Sequence, residues 1–91
     1  MPRFFFNIYN NVTTIDYEGV ESANVDAAKA RALTEFRSLI AAAVLDNGEV
    51  VLGHRIDVLN AERERVSRIE LRDALTIRDR WGKKLDVLTR P

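Results

Sequence analysis

Residues 25–46, VDAAKARALTEFRSLIAAAVLD, constrain the fold more than any other stretch. The run is rich in Ala, Leu, Arg and Glu and holds neither Gly nor Pro, so a helix forms there at little conformational cost. Ala32, Phe36, Leu39 and Ala43, with Leu33, Ile40 and Val44, recur at helical spacing on one wide apolar stripe. Lys29, Arg31, Glu35, Arg37 and Ser38 take the other side. Asn24 is placed to cap the N-terminus, and Asp26 lies in the first turn, where the helix dipole favours it. Asn47-Gly48 ends the helix with a residue suited to a left-handed backbone. A helix of this kind must bury its stripe. In a chain of 91 residues, one helix on one sheet is about as much architecture as the apolar content can cover.

The rest of the chain supplies that sheet. Residues 3–10, RFFFNIYN, are aromatic and β-branched and are followed by Asn10-Asn11, a turn signal. Alternation puts Phe4, Phe6 and Ile8 on one face, and Arg3, Phe5, Asn7 and Tyr9 on the other. Residues 12–17, VTTIDY, read as a second strand after a tight turn. Residues 17–24 form a loop in which Gly19 supplies a conformation that other residues resist. Residues 54–60, HRIDVLN, alternate again, with His54, Ile56 and Val58 opposite Arg55, Asp57 and Leu59. A polar turn, residues 61–64, leads to RVSRIELR, residues 65–72. Ser67, Ile69 and Leu71 point inward there, and Val66, Arg68, Glu70 and Arg72 outward.

The expected fold is α+β with order ββαββ. A four-stranded, mainly antiparallel sheet carries the long helix on one face. Residues 1–75 form this core domain. Residues 76–91 form a C-terminal extension, docked or in an oligomer contact. Ala74, Ile77, Trp81, Leu85 and Leu88 lie at helical spacing, and Asp73 is placed to cap them, which favours a helix. The alternative continues the fourth strand to Ile77 and turns at Gly82-Lys83 into a short strand.

Several function classes are disfavoured by composition. The chain has no cysteine, so disulfides, thiolate nucleophiles and cysteine metal sites are excluded. Net formal charge is zero, which argues against broad electrostatic binding of nucleic acid or anionic lipid. The charge is nevertheless uneven. Residues 1–60 hold 5 basic and 8 acidic side chains, and residues 61–91 hold 9 basic and 6 acidic, an asymmetry that suits head-to-tail contact or a basic C-terminal surface. No apolar run reaches the ~18 residues of a membrane span. The N-terminal run is too short for a secretory segment. A cytoplasmic address and no membrane partner are expected.

Chemistry has few places to reside. His54 is the only histidine, so the common triads and dyads cannot form, and its parity with Ile56 and Val58 points to a strand-end side chain at the core rim. Asp16, Glu18 and Glu21 place three carboxylates near one another in sequence, as a hard cation requires. Their spacing does not match a calcium loop, and a solvated loop is the plainer reading. The four glycines are isolated, so no phosphate-cradling loop exists. An enzyme is not expected, and neither a cofactor nor a metal. The sheet's second face is the better candidate. Phe5, Tyr9, Leu59 and Val66, with Trp81, form a candidate interface for a second copy or another protein. Arg55, Arg68 and Arg72, with His54, form a weaker candidate polar site. Aromatic rings among arginines on a sheet also suit single-stranded nucleic acid, the alternative function, although Asp57 and Glu70 count against it.

The opening Met-Pro-Arg-Phe-Phe-Phe-Asn-Ile, the Asp16-Tyr17-Glu18-Gly19-Val20-Glu21 loop, the Ala-rich helix and the stretches GHRIDVLNAERERVSRIEL and RDAL together resemble a bacterial family of small uncharacterised domains. The resemblance covers about residues 1–75. Asn7 stands where many relatives carry His, the Pro usual before the helix is missing, and the tail runs longer. The family is one of unknown function, so it implies no activity and no catalytic residues. The reading that remains is a small non-catalytic interaction or self-assembly module.

Overall fold

A computed structural model describes residues 1–88. The elements run β1 (Arg3–Tyr9), β2 (Thr13–Thr14), β3 (Val20–Glu21), α1 (Val25–Asn47), β4 (Arg55–Leu59), β5 (Arg65–Glu70), α2 (Leu71–Ala74), β6 (Ile77–Arg78) and β7 (Lys84–Leu85). The fold is α+β. An antiparallel sheet of order β2-β1-β4-β5, with β3 also on β1, carries α1 on one face, and β6 and β7 form a separate hairpin.

The helix follows its sequence signals closely. Asn24 accepts the Ala27 amide at 2.8 Å, and Gly48 closes the other end at φ +67° with its amide on the Val44 carbonyl. Ala28, Ala32, Phe36 and Ile40 are buried against Phe4, Phe6, Ile56, Val58, Ile69 and Leu71 of the sheet side. Leu33 and Leu39 pack at the margin, and Val44 is exposed, so the buried stripe is narrower than the apolar one. Small alanines bring the helix backbone close to the strands, and Phe36 fills the centre. Its truncation would cost about 3–5 kcal/mol.

The expected second strand, residues 12–17, is only Thr13–Thr14. Asp16 replaces the ladder beyond it. Its carboxylate accepts the Phe6 amide of β1 at 3.0 Å, and its own amide donates to Oδ1 of buried Asn7 at 3.0 Å. The chain then returns to β1 as β3, pairing Val20 with Phe4. One edge of β1 is thus covered by β2, the Asp16 loop and β3 in succession, and the sheet gains a fifth strand. Gly19 makes this possible. It sits at φ +74°, and a Cβ there would lie 2.7 Å from the Phe4 carbonyl oxygen, too close for any side chain.

The β4–β5 pair contains a bulge. Val58 faces Ser67 while Leu59 faces Arg65, leaving Val66 as the extra residue. The turn between these strands is wired through Asn60. Its Oδ1 accepts the amides of Glu62 (3.0 Å) and Glu64 (2.9 Å), its amide donates to the Glu64 carbonyl, and the Arg63 amide donates back to its own carbonyl.

A C-terminal helix forms, but it is the single turn Leu71–Ala74. The apolar stripe from Ala74 to Leu88 does not continue as helix. Asp79 and Gly82 form a tight turn between β6 and β7 instead, with Gly82 at φ +88°. Local turn chemistry prevails over the spacing here, and the alternative reading of a turn at Gly82-Lys83 describes this stretch. Leu75 and Leu88 pack against the core on either side of the hairpin. The radius of gyration, 14.2 Å, and extents of 44 × 25 × 21 Å describe an elongated molecule. A compact chain of this length has a radius of about 12 Å. Among the described residues no helix is long and apolar enough to cross a membrane.

Candidate functional site

Phe5 points to the second face of the sheet, yet it is only 9% exposed, as is Leu59. Its cover comes from the β4–β5 turn. The Arg63 guanidinium lies 4.0 Å from the centre of the Phe5 ring and 5.8 Å from that of Tyr17, and its Nη1 donates to the Asp16 carbonyl at 2.9 Å. Arg63 reaches this position from a left-handed backbone, φ +63°, which costs a non-glycine residue about 1 kcal/mol. The ring contact and the hydrogen bond, about 1 kcal/mol each, outweigh that cost.

Further along the same face, Arg55 lies 4.3 Å over the Tyr9 ring. Arg68 grips buried Asp57 through Nε at 2.8 Å and Nη2 at 3.2 Å. This two-pronged bond holds the Arg68 pKa above its ordinary value. Arg55 is also 3.9 Å from Asp57, too far for a hydrogen bond, and its buried Nε has no hydrogen-bond partner. The second face is therefore a row of rings, guanidiniums and one carboxylate held at fixed spacing.

The candidate interface is dispersed by the fold. Tyr9 remains half-buried beside Arg55, while Phe5 and Leu59 are sealed beneath other groups. Val66 sits exposed in the bulge. Trp81 stands at the tip of the β6–β7 hairpin, 82% exposed, with Arg80 at 5.3 Å from its ring. Among the polar candidates, Arg55 and Arg68 converge on Asp57. Arg72 leans on Glu70 at 3.4 Å. His54 is separate from them. It lines a pocket of about 150 Å³ on the helix side, over Ile8, Phe36, Ile40 and Leu71.

The acidic loop is structural. Oδ1 of Asp16 accepts the amides of Glu18 (3.1 Å) and Gly19 (2.9 Å), in addition to the Phe6 amide on Oδ2. Partial burial raises the Asp16 pKa, but the three amides and the Arg63 charge outweigh it and hold the group below its ordinary value. Glu21 pairs instead with Arg3 at 3.4 Å. The described residues contain no group of three or more acidic or histidine side chains placed to hold a metal ion.

Sequence reasoning missed Arg63, the residue that closes the face. Left-handed turn positions are usually signalled by Gly or Asn, and AERE carries neither. The Asx-type wiring of Asn60 was the one available sign of the turn's geometry.

Fold and surface together define a small α+β domain with one helix-covered sheet face and one arginine-covered face. The chain belongs to the family described as Domain of unknown function (DUF6894), which it matches over residues 3–72. That span contains the whole sheet and α1, and the β6–β7 hairpin lies beyond it. No curated protein and no solved structure matches the chain.

Proposed function

We propose that the domain is a non-catalytic interaction module that presents the second face of its sheet to a protein partner, another chain or a second copy of itself. The observation that carries this reading is the fixed Tyr9–Arg55 and Asp57–Arg68 array. Tyr and Arg are enriched among the residues that dominate interface energies, and side chains already held in place lose little freedom on binding. His54, the one histidine, lies apart from this array, which favours binding over acid–base work. Residues 1–75 are the core of the module and residues 76–91 its extension, acting in the cytoplasm.

The test is the double variant Tyr9→Ala, Arg55→Ala, which removes the Tyr9–Arg55 half of the array while leaving the helix-side core intact. Loss of partner recovery or of self-association, with an unchanged circular dichroism spectrum, is expected. Unchanged recovery and unchanged oligomeric state would overturn the reading. A second reading, regulatory nucleic-acid binding, is favoured by Tyr9 on a sheet among Arg55, Arg68 and Arg72 together with the basic tail. It requires affinity for a single-stranded oligonucleotide that falls steeply with salt.

A further inference from the structure

The β6–β7 hairpin presents the chain's only tryptophan almost fully to solvent. It does so on a turn shaped by its own hydrogen bonds. Asp79 Oδ1 accepts the amides of Trp81 and Lys83, both at 2.9 Å, and Arg78 Nη1 donates to the Gly82 carbonyl at 2.9 Å. Residues 77–85 carry Arg78, Arg80, Lys83 and Lys84 against one carboxylate, Asp79, and Arg80 lies 5.3 Å from the ring centre. An isolated two-stranded hairpin is marginally stable. This one carries a large apolar ring, with Arg80 beside it, that none of the described residues buries.

A complementary surface exists elsewhere on the molecule. The pocket lined by Ile8, Phe36, Leu39, Ile40 and Ala43 has an apolar floor and about 150 Å³ of space, the volume of a cavity that accepts benzene, so the six-membered ring of an indole fits with the rest of the side chain at the open mouth. It lies at the C-terminal end of α1, the negative end of the helix dipole. The last turn of α1 contains no basic residue to offset that charge. Asp46 and Glu49 flank it, and Glu49 is part of the pocket wall. The site thus combines room for a ring with a field that attracts cations, and the hairpin combines a ring with cations.

We propose that Trp81 of one copy seats in this pocket of a second copy, with its flanking arginines and lysines against Asp46 and Glu49. The contact is head-to-tail, because donor hairpin and acceptor pocket are different surfaces, and it propagates beyond a dimer unless the rotation closes a ring. The inference rests on the reading of the domain as an assembly module, but it uses a surface separate from the Tyr9–Arg55 array.

Sedimentation velocity over a wide concentration range, read together with the fluorescence of Trp81, tests this. For the wild type, the average mass is expected to rise from 10.4 kDa to at least twice that value. The emission should shift to the blue in parallel, and both changes should weaken as salt rises. Trp81→Ser removes the knob, while Ala43→Leu fills the pocket. Each variant alone is expected to stay monomeric. Mixed, they should form a 1:1 dimer that grows no further, because each supplies the surface the other lacks. Glu49→Lys at the exposed rim repeats the pocket test without touching the core, should Ala43→Leu misfold. Tyr9→Ala reads the other surface: association lost with Tyr9→Ala but kept with Trp81→Ser would assign self-association to the sheet face and overturn the pocket contact. A wild type that stays monomeric at every concentration would overturn the proposal. So would variants that associate as the wild type does, or a blue shift independent of concentration. Binding of free indole in the pocket of a wild type that never associates would reassign the pocket to a small ligand and equally refute the contact.

Discussion

The turn Asn60–Glu64 and the turn Asp79–Lys83 share one set of hydrogen bonds and differ in what surrounds them. In each, the first side chain's Oδ1 accepts the amides two and four residues on. In each, the first amide bonds the fifth carbonyl at 2.9 Å and the fourth amide bonds the first carbonyl at 3.0 Å. The fourth residue is left-handed in both, Arg63 in one and Gly82 in the other. Gly82 adopts this backbone without steric cost and contributes no side chain. Arg63 bears the cost and places a guanidinium over Phe5. The first turn is thereby tied to the sheet face and to the Asp16 loop, while the second stands free with Trp81 at its tip. Turn chemistry sets the shape of a hairpin, and tertiary contact decides how firmly it is held.

Breaking the anchor should have the largest effect. Asp16→Ala leaves the amides of Phe6, Glu18 and Glu18's neighbour Gly19 without their acceptor and loosens the loop that Arg63 grips. A loss of about 2 kcal/mol in urea unfolding is expected. The difference from wild type should depend on pH. The folded pKa of Asp16 lies below the unfolded 3.8, so the carboxylate stabilises the fold above about pH 4, and the contribution is lost as pH falls through the folded value. The two proteins should therefore converge in stability in acid. An equal gap at pH 7 and at pH 3 would contradict the assignment.

Arg63→Ala comes next, with a loss of about 1.5–2 kcal/mol, because the ring contact and hydrogen bond vanish while the left-handed backbone stays. Arg63→Gly should recover about 1 kcal/mol of that loss by relieving the backbone. If Gly proves worse than Ala, the comparison of the two turns is wrong. The smallest effect belongs to Gly82→Arg. Nothing lies within 4 Å of a Cβ at that position, so only the backbone cost of about 1 kcal/mol applies. It should fall on the hairpin alone, read as weakened amide protection at residues 79–83 with little change in the global midpoint.

Much of the fold was legible, and the reasons are local. The long helix carries its own caps, and its composition leaves no competing structure. The first strand alternates cleanly. Legibility stops where distant residues decide. The second strand ends early because an Asp16 carboxylate replaces a backbone carbonyl, which no alternation pattern encodes. The stripe Ala74, Ile77, Trp81, Leu85, Leu88 fits a helix as well as chance allows, and Asp79 and Gly82 override it. Of the candidate site, Tyr9, Arg55 and Arg68 are grouped by strand parity alone. Phe5 looked open because its cover, Arg63, lies 58 positions away in a turn without a glycine.

Native-state hydrogen exchange on the amides that the two turns share tests the central contrast most directly. Glu62 and Glu64 occupy the same places in one turn as Trp81 and Lys83 in the other. At a dilution where the protein is monomeric, Glu62 and Glu64 should exchange only with global unfolding. Trp81 and Lys83 should exchange through local opening, at least about a hundredfold faster. Equal protection in both turns would contradict the account, because the Arg63 anchor would then add nothing that the shared wiring does not already provide.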